Sequence, residues 1–442
     1  MALAVSGWLA YALVRGLWAI IFLGAPLYDW HWYLCVIPLL TVLPVYLVWR
    51  LTDTRQKRRV PPNALVIVAG LLLAAIGGYG GYGQVVYLDP NGSAPVPLSF
   101  WAFSDLRSMP DAILEDVHAA DGSIFLVVGD SFDGERGRVL ASAIRRLAQY
   151  GIEVYLATPA GNDFLSVPSH LTWMQSTQAA AEFTTRETLR NVRGIIGDAE
   201  PPFNAPLDVA GLDRASFDRA VTDLSELIGN FHRQHPHVRI GVTASWPHYM
   251  DGLDGDADLS IIMRSPVNPP GGWDFVNLMT YSSYFPSEWR PYYVYLLERA
   301  MMRLYPPDRV SHLIGLVGGG MPGEPLLDFD DLARDARLSR ALGVREVVVF
   351  QLDGALRVFG DDFVRRLNAA VNTPSPDATV AVPFARPVSL LFYGMVVVDA
   401  LLDVRGSLAW LGMAWLLLSG VVVACRTVAK DKLGAVGDAR LT

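Results

Sequence analysis

Cysteine is almost absent from this chain, which has two cysteines among 442 residues. Cys35 lies within one long apolar segment, and Cys425 lies at the end of another. Two cysteines so far apart provide neither a disulfide framework nor a thiolate metal site. The sequence therefore excludes the small disulfide-rich and zinc-finger classes of protein.

An excess of basic residues is also missing. The chain has 36 Lys and Arg against 44 Asp and Glu, a net charge of −8, and no basic stripe runs through its middle. This balance argues against nucleic acid as a partner. The first predicted strand–helix turn lacks a G-x-G-x-x-G sequence, which disfavours a dinucleotide-binding fold. We expect no cofactor.

Two clusters of potential metal ligands, an acidic loop and a group of histidines, lack the spacing of known metal sites. The acidic loop lacks the glycine and the final glutamate of a calcium loop, and the histidine cluster lacks carboxylate or cysteine spacing. We expect a solvated loop in the first case and no bound metal in either. The clusters are Asp251, Asp254, Asp256 and Asp258, and His232, His235 and His237.

Apolar residues are abundant, at 52% of the chain, and the excess is concentrated at the two ends. Segments 5–25, 31–49 and 64–82 are each close to the ~20 residues that a spanning helix needs. The loop 50–59 between the second and third contains five Arg and Lys, which predicts that it is cytoplasmic. We therefore predict an N-terminal transmembrane region, 1–84, with three helices, followed by a domain outside the cytoplasm.

The C-terminal end repeats this composition after a Pro-rich linker predicted at 373–386. Residues 387–442 contain apolar segments at 388–402 and 406–424 and a basic tail, which predicts a cytoplasmic C-terminus. The first segment is short, so four spans and five spans both stay open. The predicted protein is a multi-pass protein of the cell inner membrane, with the lipid bilayer as a partner.

The central region, 85–372, alternates short β-branched runs with longer amphipathic stretches such as 136–149, 214–232 and 329–341. Alternation of this kind indicates a parallel sheet. Eight repeats in a region of this length predict a (β/α)₈ TIM barrel, an α/β fold. The strand candidates are 98–103, 123–128, 153–158, 192–198, 239–244, 275–281, 312–317 and 346–352.

Two carboxylates end the fourth predicted strand. Along a strand, residues two apart point to the same face, so Ile196, Asp198 and Glu200 share one side. In a barrel that side faces the interior, and the two acids then lie at the carboxyl-terminal mouth, where such barrels keep their chemistry. Because Asp-x-Glu is a weak motif, a strand that runs into a solvated acidic turn stays the alternative.

Polar and aromatic side chains follow other predicted strands as well. Aromatic residues beside a few acids suit a sugar, which has apolar ring faces and polar edges; ordinary loop content is the alternative. The residues that we predict to bind substrate at the mouth are Trp101, Trp246, Asn277, Met279, Tyr284, Gln351 and Asp353.

Residues 193–200 resemble the fourth-strand signature of glycoside hydrolase family 18, the chitinase-like barrels, which reads D-G-x-D-x-D-x-E. Gly194, Asp198 and Glu200 match it, whereas Arg193 and Ile196 stand at its first and second Asp. The resemblance is confined to the central domain.

Two further strands carry the resemblance. Residues 274–281 are similar to the sixth-strand pattern D-x-x-N-x-M-x-Y-D through Asn277, Met279 and Tyr281, with Ser282 in place of the final Asp. The end of the eighth strand is similar to W-S-x-D, with Phe350 in place of Trp.

The resemblance implies a role for three residues. Glu200 would be the general acid, Asp198 would orient the 2-acetamido group of the substrate as it attacks the anomeric carbon, and Tyr281 would hydrogen-bond the acetamido oxygen. This is the substrate-assisted exception to the usual two-carboxylate scheme of glycosidases. It implies a retaining hydrolase of N-acetylated amino-sugar polysaccharides that needs no metal.

Ile196 leaves open whether the protein cleaves this substrate, because it replaces the acid that the family has one layer below Asp198. The consequence is lower activity, a different substrate, or binding without cleavage. Besides hydrolysis, two alternatives therefore stay open: a glycan-binding barrel that assists polysaccharide synthesis or export proteins, and a membrane scaffold whose barrel contacts partner proteins.

Overall fold

The part of the chain that the computed structural model describes is the central domain. It comprises residues 85–103, 106–129, 132–160, 165–200, 214–245, 251, 257–267, 272–318, 323–376, 378–388 and 391. The predicted membrane segments, apart from residues 388 and 391, lie outside these residues, as does the basic loop. Trp246 also lies outside them. In the described part, no helix is both long and apolar enough to span a bilayer.

A closed barrel of eight parallel strands, arranged in chain order, forms the centre of the described region. The (β/α)₈ prediction is confirmed. The strands are β2 Leu98–Ala102, β3 Ser123–Val127, β4 Glu153–Thr158, β5 Val192–Ala199, β6 Arg239–Ser245, β7 Phe275–Met279, β8 Val310–Gly315 and β9 Glu346–Phe350.

Helices connect these strands, as the amphipathic stretches predicted. They are α1 Asp111–Ala119, α2 Gly134–Gln149, α3 His170–Arg186, α4 Arg214–Gln234, α5 Asp258–Ile262, α6 Arg290–Leu304, α7 Phe329–Leu342, α8 Leu352–Phe359 and α9 Phe363–Asn372. Short 3₁₀ turns occur at Pro90–Gly92, Leu106–Ser108, Ser282–Tyr284 and Pro307–Arg309.

Strand β8 lies two residues earlier than the sequence pattern predicted. Leu316 and Val317 are apolar and buried, so they extend the apolar run beyond the strand. The backbone of Leu316 leaves the ladder, however, because Leu316 N donates to Ser283 Oγ and Leu316 O accepts from Leu327 N. Val317 N keeps one bond to β9, at 3.1 Å from Phe350 O. An apolar run predicts burial, and here it did not mark the end of the strand.

A two-stranded antiparallel ribbon joins the two ends of the barrel domain. Strand β1, Val85–Leu88, pairs with β10, Val380–Pro383, with Val85 opposite Pro383. The structure thus differs from the sequence interpretation of 373–386 as a linker, because four of these residues add a strand. Pairing satisfies the backbone donors and acceptors that a bare linker leaves to water.

The barrel interior is packed with large side chains below its carboxyl-terminal end. Phe125 stacks between Trp101 and Tyr155, with ring centroids 6.1 and 4.7 Å away. Gly241 makes room for Phe275, since a Cβ atom on Gly241 would lie 2.4 Å from that ring. The chemistry of such barrels is found at the carboxyl-terminal mouth, above this filled interior.

Candidate active site

Strand β5 carries Asp198 towards the mouth of the barrel. Ile196, two residues earlier, belongs to the buried interior cluster together with Phe125, Phe275 and Met279. By the two-residue period, Asp198 points to the same side one layer higher. Ile196 therefore packs the barrel beneath the carboxylate, at the position where the family pattern has an acid.

Asp198 and Glu200 form a pair of carboxyl groups that resist ionisation. Burial raises the pKa of Asp198 well above its usual range, and the Glu200 carboxyl adds to the rise. Burial raises the pKa of Glu200 to about 7, with a contribution from the Glu324 carboxylate. Two such groups hold a proton between them near neutral pH, which is what a general acid requires.

Tyr281 lies beside this pair, just beyond the end of β7. Its ring packs against the interior cluster, 5.9 Å from the Phe350 ring centroid. Burial raises the pKa of Tyr281 well above its ordinary value, and Asp198 and Glu200 raise it further. The phenol therefore keeps its proton and is available as a hydrogen-bond donor next to both carboxyl groups.

Tyr284 stands on the rim, with 53% of its surface exposed. Its hydroxyl donates to Glu324 Oε1 at 2.5 Å. Partial burial and this hydrogen bond raise the pKa of Tyr284 above its ordinary value. The exposed ring offers a flat apolar surface of the kind that a sugar ring contacts, beside an acidic acceptor.

The predicted binding residues divide into buried and accessible groups. Trp101 is only 2% exposed and is stacked inside the barrel, and Asn277 and Met279 are also buried. Gln351 is partly accessible, and Asp353 Oδ2 accepts from Phe103 N at 2.8 Å. Trp101 and Met279 thus form the floor of the site instead of its walls.

Several buried polar atoms at the upper part of the barrel have no hydrogen-bond partner among the residues that the structure describes. Thr243 lies opposite Asp198 in the strand register, and Asn277 lies opposite Thr243, so the three side chains point to one side. Buried polar atoms without partners are rare and occur where a ligand or water completes them. The atoms are Asp198 Oδ1, Thr243 Oγ1, Asn277 Oδ1 and Nδ2, Trp101 Nε1 and Gln351 Oε1.

Two residues of the site were missed from the sequence. Glu324 contributes to the pKa of Glu200 and bonds Tyr284, but it lies on the connection after β8 and belongs to no motif. Phe103 directly follows β2, is half-exposed and packs edge-on against Phe350 at 5.6 Å between ring centroids. Its place after a strand was the signal that could have identified it.

The metal candidates have structural partners. Asp251 is buried and accepts from Leu259 N and Ser260 N at 3.0 and 2.9 Å, so it is not part of a solvated loop as expected. His232 Nε2 lies 2.9 Å from Asp274 Oδ2. Across the described residues, no group of His, Cys, Asp and Glu side chains is arranged to hold a metal ion.

Solved structures with a similar fold are glycosidase barrels. A GH18 chitinase from Pseudoalteromonas aurantia is 12% identical and covers 62% of this chain and 99% of its own, with a TM-score of 0.44. The PgaB (BpsB) glycoside hydrolase domain from Bordetella bronchiseptica is 13% identical, at 64% and 100% coverage and a TM-score of 0.40.

A family 18 N-acetylglucosaminidase from Paenibacillus barengoltzii is 13% identical, at 62% and 99% coverage and a TM-score of 0.39. No protein-family model matches the chain, and no curated protein matches its sequence. Solved structures that resemble this chain thus include a chitinase and an N-acetylglucosaminidase of glycoside hydrolase family 18 and the glycoside hydrolase domain of PgaB.

Proposed function

We propose that this protein is a retaining glycoside hydrolase that cleaves an N-acetylated amino-sugar polysaccharide by substrate assistance. The observation that carries the proposal is the pair of carboxyl groups on one strand face, Asp198 and Glu200, both with raised pKa values and both close enough to the Tyr281 phenol to raise its pKa as well. The match of residues 194–200 and 274–281 to the family 18 strand patterns supports the same roles.

The first step breaks the glycosidic bond. The carbonyl oxygen of the 2-acetamido group attacks the anomeric carbon while the bond to the glycosidic oxygen breaks. Glu200 gives its proton to the departing oxygen. Of the one proton that the two acids hold between them, Glu200 carries it at this step, and Asp198 is the ionised member. Asp198 therefore accepts a hydrogen bond from the acetamido N–H and balances the charge of the cyclic oxazolinium ion, and Tyr281 donates to the acetamido oxygen.

The second step restores the enzyme. The Glu200 carboxylate takes a proton from a water molecule, and the hydroxide attacks the anomeric carbon from the face that the leaving group left. The oxazolinium ring opens, the acetamido group is regenerated, and the anomeric configuration is retained. All steps use this chain's side chains, the substrate and one water molecule, so no cofactor is required.

Asp198→Asn is expected to slow every N-acetylated substrate to a similar degree, because Asp198 acts on the nucleophile and not on the leaving group. The measurement compares the full-length wild type and variant on an N-acetylated oligosaccharide and on its de-N-acetylated counterpart, with products followed by mass spectrometry. Substrate assistance requires that the de-N-acetylated compound is not cleaved. Equal cleavage of both compounds by the wild type would overturn the acetamido role.

Glycan binding without hydrolysis is the second candidate function. The observation that favours it is Ile196, which puts an apolar side chain beneath Asp198 where the family pattern has an acid. Such a barrel would hold a polysaccharide for synthesis or export proteins. An oligosaccharide that binds the wild type but yields no product over a long incubation would favour this function over the first.

We also propose that the barrel lies on the outer side of the inner membrane, anchored by 1–84 and 387–442. The arginine-rich loop 50–59 supports this orientation. A reporter that is active only outside the cytoplasm, fused at Gly92, is expected to be active. Activity of a cytoplasmic reporter at this position instead would refute the orientation.

A further inference from the structure

Ser282 lies three residues beyond the end of β7, at the position where the family pattern has an aspartate. Ser282 and Asp335 of α7 are both fully buried, and Ser282 Oγ donates to Asp335 Oδ2 at 2.5 Å. The two residues are 53 positions apart in the chain. A carboxylate therefore lies against position 282 although the strand itself supplies none.

Ser282 is placed where it can orient two residues of the candidate active site. It directly follows Tyr281 and opens the 3₁₀ turn Ser282–Tyr284. Phe285 N donates to Ser282 O at 2.9 Å, which closes this turn. A restraint on Ser282 is thus passed through one peptide unit to Tyr281 and through one turn to Tyr284.

Helix α7 also holds the other end of this turn. Arg334 donates to Asp335 Oδ1 through Nε and Nη2, at 3.0 and 2.7 Å. Arg334 and Arg290 both pair with Asp331, and Arg290 Nε donates to Phe285 O at 2.9 Å. Residues 282–285 are therefore attached at both ends to one charged network.

Asp335 is fully buried, and the Arg334 guanidinium beside it favours its ionised form. Burial raises the pKa of Asp335 to about 6, while Arg334 and the hydrogen bond from Ser282 oppose the rise. An ionised carboxylate accepts a stronger and more directional hydrogen bond than a neutral one. The Ser282–Asp335 contact is therefore a firm restraint on the backbone that carries Tyr281.

We propose that Asp335 is a positioning residue for the candidate active site: through Ser282 it sets the orientation of Tyr281 and Tyr284, and it supplies from α7 the carboxylate that position 282 lacks. This inference rests on the proposed hydrolase function. Asp335 touches no substrate; it acts by holding the donor hydroxyl of Tyr281 where the acetamido oxygen arrives in the transition state.

The test is Ser282→Ala, which removes only the hydroxyl, in the full-length protein. We expect kcat to fall about 10-fold with KM changed less than about 3-fold, since small misplacement of a transition-state contact is costly. Asp335→Asn, a second variant of the same contact, is expected to lower kcat in the same way.

The matched control is Ser311→Ala at the opposite end of the barrel. Ser311 Oγ donates to Glu346 Oε2 at 3.0 Å, and both residues are buried, so this pair reproduces a serine on a buried carboxylate away from the mouth. Both variants are expected to lower the melting temperature, but Ser311→Ala leaves kcat within about twofold of wild type. Equal kcat values for the two variants overturn the proposal.

A double-mutant cycle separates positioning of Tyr281 from a general loss of structure. In a Tyr281→Phe background, Ser282→Ala is expected to lower kcat less than about twofold, because the contact that it positions is already gone. If Ser282→Ala lowers kcat by the same factor in the Tyr281→Phe background as in the wild type, the inference is contradicted.

The same variants distinguish failure of this inference from failure of the proposed function. If the wild type shows no turnover, the cycle is measured on the affinity for an N-acetylated oligosaccharide by calorimetry. If the effects of Ser282→Ala and Tyr281→Phe on this affinity are coupled, the positioning role holds for a site that binds the glycan without hydrolysing it. Independent effects, or no binding at all, reject it.

Discussion

Glu200→Gln is expected to lower kcat on a natural-type N-acetylated polysaccharide by about 10²–10⁴-fold, or about 3–5 kcal/mol of barrier. The amide cannot donate the proton that the departing glycosidic oxygen needs. Because the pKa of Glu200 is about 7, wild-type activity is also expected to decline above about pH 7 as this group ionises. The variant should lack that decline. The measurement is kcat and kcat/KM of both proteins from pH 5 to pH 9.

An activated glycoside with a good leaving group provides the internal comparison. It needs little protonation, so Glu200→Gln should slow its cleavage far less than that of the natural-type substrate. The control variant is Glu153→Gln, which changes a half-exposed carboxylate paired with Arg193 at the amino end of β4 and should leave both rates within about twofold. If instead Asp198→Asn shows the leaving-group dependence, the two acids have the opposite roles.

Glu200→Gln is also expected to stabilise the folded protein at alkaline pH. The pKa of Glu200 rises from an ordinary 4.5 to about 7 on folding, so between these values the folded state binds more protons than the unfolded state. Stability therefore falls as pH rises through this window, and keeping Glu200 ionised at pH 8 costs up to about 3 kcal/mol. The glutamine variant is free of this cost. Active sites often keep a catalytic group in surroundings that lower the stability of the folded protein.

Denaturant unfolding at pH 5 and pH 8 measures this effect. Near pH 5 the free energies of unfolding of wild type and Glu200→Gln should agree closely, and at pH 8 the variant should be the more stable. The free energy of unfolding at pH 5 minus that at pH 8 should differ between Glu153→Gln and wild type by less than about 0.5 kcal/mol. A Glu200→Gln variant whose stability follows that of wild type across the range would show that Glu200 is not held protonated by the fold.

Much of the barrel could be predicted because its signals are local. The β-branched runs and the amphipathic stretches between them follow from the periods of the strand and the helix. The same period put Asp198 and Glu200 on one face of β5, together with Ile196. The strand ends were less predictable, as at β8, because an apolar residue such as Leu316 is buried equally well beside the ladder as in it.

The predicted binding residues show where local signals stop. Trp101 follows the pattern of an aromatic residue near a strand end, yet closure of the barrel stacks it on Phe125 and leaves it 2% exposed. Its role as floor instead of wall depends on how the neighbouring strand is placed. Asp251 likewise belongs to an acidic run, but its two backbone donors on α5 bury it.

The sequence by itself determined the eight strands of the barrel, the shared face of Asp198 and Glu200, and the strand patterns that resemble family 18. These depend on residues within a few positions of one another. Only the tertiary structure decided that Glu324 bonds Tyr284 and raises the pKa of Glu200, and that Asp335 bonds Ser282 from 53 residues away. Such contacts depend on the tilt and closure of the barrel, which bring distant loops and helices together, and burial at the closed mouth then raises the pKa values of the acids.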